Sequence, residues 1–116
     1  MAPTDITWNQ VNQSLIDMGL TAPITIDAYG NGTAININNV VSTRSASSAV
    51  EFVSRLLEAC RNAQEVANNG KVAPDRLTSF PTSTIGTATL GYVPVTRSVV
   101  GRYELASAKK IVAANG

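Results

Sequence analysis

Ser48-Ala49-Val50-Glu51-Phe52-Val53-Ser54-Arg55-Leu56-Leu57-Glu58-Ala59-Cys60-Arg61-Asn62-Ala63-Gln64-Glu65-Val66-Ala67-Asn68-Asn69-Gly70 is the stretch whose reading decides the fold. Ala49, Phe52, Val53, Leu56, Leu57, Cys60, Ala63 and Ala67 recur at helical spacing, and Glu51, Arg55, Glu58, Asn62 and Glu65 take the opposite side. Ser48 followed by Glu51 is a capping-box pattern, in which each side chain accepts from an orphan backbone N–H of the other's residue. Glu51–Arg55 and Arg61–Glu65 stand at the spacing that supports a helix, and Asn68-Asn69-Gly70 ends it. A helix drawn from Ser45 to Asn69 would be about 30 Å long, enough to cross a small domain.

Working outward, Thr7 to Met18 places Trp8, Val11, Leu15 and Met18 on one stripe, with Asp5 or Thr7 as cap and Gly19 as a left-handed stop. The period then changes to two. Ile24-Thr25-Ile26-Asp27-Ala28 and Thr33-Ala34-Ile35-Asn36-Ile37-Asn38 alternate on either side of Gly30-Asn31-Gly32, which predicts a β-hairpin. Ile24, Ile26, Ile35 and Ile37 are expected on its buried face, and Thr25, Asp27, Asn36 and Asn38 on its wet face.

Past the long helix, Lys71 to Pro81 reads as a loop. Thr84 to Leu90 suits a strand, and Tyr92-Val93-Pro94-Val95 a short edge strand, because Pro94 has no donor for the ladder. Val99 to Leu105 reads as a strand passing into a terminal helix over Glu104 to Ala114. The expected fold is a single α+β domain, residues 1–116. The long helix would pack across an antiparallel sheet of four or five strands, with a short N-terminal helix and a C-terminal one. The isoleucines of the hairpin would meet Phe52, Val53, Leu56 and Leu57.

Composition narrows the chemistry. The 116 residues hold no histidine and one cysteine, Cys60, which excludes an ordinary Cys/His zinc site, an Fe–S cluster, a His-based triad and an internal disulfide. At 44% hydrophobic the chain can bury a core. Charged residues are only 15%, and 10 Ser, 12 Thr and 10 Asn supply the polar surface instead. Weak self-repulsion with a net charge of +1 favours association between copies and offers no nucleic-acid footprint. No secretory signal or spanning segment is read in the sequence, so a cytoplasmic protein or a component of an intracellularly assembled particle is expected. Asn12-Gln13-Ser14 and Asn31-Gly32-Thr33 are then coincidental glycosylation triplets.

Candidate chemical groups each have a plainer account. Ser107-Ala108-Lys109-Lys110 matches the Ser-x-x-Lys spacing of acyl-enzymes, yet the companion Ser-Asp-Asn and Lys-Thr-Gly elements are missing, so a solvated helix face is expected. Asp27 with Asn36 and Asn38 could offer oxygens to a hard cation, but one carboxylate makes a weak site. Gly30-Asn31-Gly32 lacks the third glycine of a phosphate-binding turn and opens no helix. Cys60 fills core.

No cofactor or metal is expected. Residues 1–44 carry −2 and residues 97–116 carry +3, an order that suits head-to-tail contact between copies. The candidate partner-contact residues are Arg97, Arg102, Tyr103, Lys109 and Lys110. Taken together, the sequence points to a non-enzymatic structural or assembly protein that packs against its own copies or a larger complex. A small adaptor binding a protein or small ligand is the alternative.

Overall fold

The computed structural model describes residues 5–42, 48–102 and 105–106. The element order is α1 (Trp8–Asp17), β1 (Ile24–Ile26), β2 (Gly32–Ile35), a 3-10 turn (Ile37–Asn39), α2 (Ala49–Asn68), β3 (Thr84–Ile85) and β4 (Val95–Thr96). The architecture is α+β, with two helices and two antiparallel sheets of two strands each among the described residues.

α1 begins where Thr7 accepts from the Gln10 N–H at 3.2 Å and Gln10 accepts from the Thr7 N–H at 2.7 Å. Its inward stripe is Val11 and Leu15, both buried, and Leu15 is fully enclosed. The stripe meets Ala59, Cys60 and Ala63 of α2, whose small side chains let the two helices approach closely. Ile24, Val40 and Phe80 complete this core, flanked by Phe52, Leu56 and Leu57. The principal partner of α2 is therefore α1, and among the described residues no four- or five-stranded sheet lies across it.

β1 pairs with β2 through Ile24–Ile35 and Thr25–Ala34, and the register shifts before Ile26–Gly32. The hairpin exists, but its loop runs through Asp27–Asn31, because the Asp27 carboxylate accepts from the Tyr29 and Asn31 N–H groups at 2.8 and 3.0 Å. Ile37 departs from the expected buried face. The Asn36 side chain accepts from the Asn38 N–H at 3.1 Å and draws the chain into the 3-10 turn, which leaves Ile37 half exposed.

At the start of α2, Ser48 is the N-cap residue without a side-chain capping bond. Glu51 accepts from the backbone N–H of Ser42 instead of closing the expected box, and pairs with Arg55 at 3.6 Å. The further N-terminal extension expected from Ser45 lies outside the described residues. Val53 also differs from expectation: it is exposed and is not among the hydrophobics packed on the core.

The last third is a second hairpin. Thr84 faces Thr96 and Ile85 faces Val95, while Thr89 and Tyr92 exchange both backbone bonds at 2.8 and 3.0 Å around Leu90-Gly91. Both turn residues have positive φ, 53° at Leu90 and 81° at Gly91, the geometry of a two-residue hairpin loop. The ladder is shorter than the sequence pattern implies. Pro94 offers only its carbonyl, to Gly86 at 2.8 Å, and the register slips by one residue between tip and base. Val99–Arg102 forms no strand, and Val100 donates one backbone bond to Ser79 at 2.7 Å. Leu105 and Ala106 are helical, and the rest of the expected terminal helix lies outside the described residues.

Candidate functional site

The polar residues of α2 have a task that the periodic pattern conceals. Gln64, buried, donates to the Phe80 carbonyl at 3.0 Å and accepts from the Phe80 N–H at 2.9 Å. One turn later Asn68, also buried, treats Leu77 the same way, at 2.9 and 2.6 Å. Arg61 adds a bond to the Phe80 carbonyl at 2.6 Å and one to Thr82 at 3.2 Å. Each amide imitates a strand neighbour, so a segment without regular structure is held by α2 as if in a sheet. The spacing of these side chains, 61, 64 and 68, was the available signal. It coincides with the border of the apolar face, where an amide reads equally well as solvated.

A clasp joins the two ends of the described chain. Ser79 donates to the Asp5 carboxylate, and Arg102 reaches the same Asp5 oxygen at 3.4 Å and the Ser79 hydroxyl at 3.1 Å. Burial works to raise the Asp5 pKa, but the bonds from Ser79 and Ile6 and the Arg102 charge outweigh it and hold it below the ordinary value. The acidic start and the basic end of the sequence thus meet within one chain at this pair. Arg97 is likewise engaged internally, with Glu58 at 3.6 Å and Ser83 at 3.2 Å. Its Nε–H is buried and meets no acceptor among the described residues. Tyr103, Lys109, Lys110 and the Ser107-x-x-Lys110 spacing lie outside the described residues.

The remaining candidates have local roles. Asp27 spends its oxygens on its own turn, with the Asn31 N–H the leading cause of its lowered pKa, and it shares no oxygen cluster with Asn36 and Asn38. Cys60 is buried, and burial first, then the Asp5 charge, pushes its thiol up to about 11. The Gly30-Asn31-Gly32 stretch is turn and strand.

What stands out on the surface is apolar. Between Ile85 and Val100, Ile85, Leu90 and Tyr92 are 74%, 92% and 80% exposed, and Val93, Val95, Val99 and Val100 are exposed as well. Beside them, on the first half of α2, Val50 and Val53 are also open to solvent. A shallow groove of about 520 Å³ runs between α2 and β4, lined by Val50, Val53, Leu57 and Val95, with Arg97 at its rim. Among the described residues no helix is long and apolar enough to cross a membrane. Comparison with protein-family models, with curated proteins and with solved structures found no match.

Proposed function

We propose that this protein is a non-enzymatic building block that works by packing against copies of itself within a larger assembly of shell, virion or scaffold type. One observation carries the reading: the segment from Ile85 to Val100 exposes Ile85, Leu90, Tyr92, Val93, Val95, Val99 and Val100, and Val50 and Val53 of α2 are exposed across the groove from Val95. Surfaces of that kind on a small protein mark interaction sites. The chemistry agrees. Among the described residues, Asp5, Asp27, Glu51, Glu58 and Glu65 each hold a local turn, clasp or ion pair. Edge pairing between copies would also extend a two-stranded sheet towards the four or five strands of the sequence pattern. Assembly inside a cell, without a membrane partner or nucleic acid, belongs to the same proposal.

Light scattering on the purified protein across the micromolar range tests it. A mass at a fixed multiple of 12.2 kDa is expected. A chain that stays at the monomer mass throughout contradicts it. The groove between α2 and β4 favours one other reading, an adaptor taking a protein or small ligand there. That reading, of a monomeric or dimeric module, is the one left if the chain stays at the monomer mass.

A further inference from the structure

Two Asn-Gly pairs lie among the described residues, Asn31-Gly32 and Asn69-Gly70, and the fold treats them oppositely. Both pairs are exposed to water. Asparagine is a thermolabile side chain. A glycine after it, lacking Cβ, lets the backbone nitrogen come close to the side-chain carbonyl. The outcome turns on whether the peptide between the two residues is free to rotate.

At Asn31-Gly32 that peptide is tied at both ends. The Asp27 carboxylate accepts from the Asn31 backbone N–H at 3.0 Å and from its side-chain Nδ2 at 3.2 Å. The Asn31 carbonyl in turn accepts from the Asp27 N–H at 3.0 Å. Gly32 pairs with Ile26 in the first hairpin and lies against the Trp8 indole. Rotation there would break these bonds, and the Asp27 charge opposes deprotonation of the neighbouring amide.

Asn69-Gly70 forms the corner that ends α2. Asn69 has φ −58° and ψ 122°, Gly70 has φ 81°, and the Lys71 N–H donates to the Asn68 carbonyl at 2.9 Å. Those are the angles and the closing bond of a type II turn. Its central peptide, between Asn69 and Gly70, swings about the two flanking Cα atoms while the closing bond stays made. The Gly70 N–H has no acceptor among the described residues, and no bond among them holds the Asn69 side chain.

We propose that Asn69 is a self-modification site, at which the Gly70 backbone nitrogen attacks the Asn69 side-chain carbonyl carbon and expels ammonia. The new N–Cγ bond replaces Cγ–Nδ2, and the proton lost by Gly70 leaves on the ammonia. Water then opens the cyclic imide at either carbonyl, leaving aspartate or isoaspartate at position 69. The net reaction consumes a water, releases an ammonia and needs only base. The product carboxylate stands just past the C-terminal end of α2, where the helix dipole disfavours negative charge. In the isoaspartate form the main chain also gains an atom inside the turn closed by Asn68, the residue that grips Leu77.

Peptide mapping by mass spectrometry, after incubation in mildly alkaline buffer, tests the site. In the folded protein Asn69 is expected to convert roughly tenfold or more faster than Asn31, whose bonds to Asp27 must first break. In urea, where neither turn persists, the two should convert at similar rates. Asp27→Ala should speed Asn31 and leave Asn69 unchanged. The converted wild type should unfold at lower urea than fresh protein, a loss absent from Asn69→Gln. Equal rates at the two sites in the folded protein, or an Asn69 that converts only after unfolding, would overturn the proposal.

Discussion

Gly32 lies within β2 because Trp8 occupies the space above it: a Cβ built at that position would stand 2.9 Å from the indole. The indole is the side that can yield. Gly32→Ala should therefore push Trp8 further into water, red-shift its fluorescence and cost about 1–2 kcal/mol in urea unfolding. Cys60 makes a second residue-level case. With its thiol pushed up to about 11 by burial and by the Asp5 charge, it should react slowly with a disulfide reagent in the native protein at neutral pH. It should react fully once urea unfolds the chain, and fast native labelling would contradict the helix packing. Asp5 gives the pH dependence. Its pKa is lower folded than unfolded, so its contribution to stability is present above the ordinary value of 3.8 and fades as pH falls through the depressed one. Acid urea titrations should show Asp5→Asn losing less stability than the wild type below about pH 4.

The elements divide by how local their causes are. α1, α2 and the first hairpin were legible because periods of 3.6 and two are written in neighbouring residues, and Thr7, Gly19 and Gly70 mark their ends. The work of Gln64 and Asn68 was not. Whether an amide at the edge of an apolar stripe faces water or a backbone depends on where residues 77–80 run, and that segment carries no strand pattern. The second hairpin was legible only as two strands, with Pro94 marking an edge, whereas its register slip depends on the positive-φ turn at Leu90-Gly91. The amide rail is testable as an element. Gln64→Leu strands the Phe80 N–H without its acceptor and should cost about 1–3 kcal/mol in thermal or urea unfolding. Gln64→Glu keeps that acceptor, and Arg61 still serves the Phe80 carbonyl, so its loss should be smaller. Equal losses would show that the packing of residue 64, and not its pairing, holds the segment.

At the scale of the whole molecule, the core is small and concentrated where α1 crosses α2, while the hairpin from Thr84 to Thr96 rests on little besides itself. A two-stranded hairpin alone in water is marginal at best. Its apolar side chains and those of the neighbouring α2 face are accounted for if copies meet there. Of the basic residues expected at a partner contact, Arg97 and Arg102 pair with Glu58 and Asp5 within the chain. Amide hydrogen exchange across residues 84–96, followed as protein concentration rises through the micromolar range, tests the meeting of copies most directly. Protection that grows with concentration, together with that of Val50 and Val53, is the expected result. Exchange that stays fast and independent of concentration in both segments would contradict it.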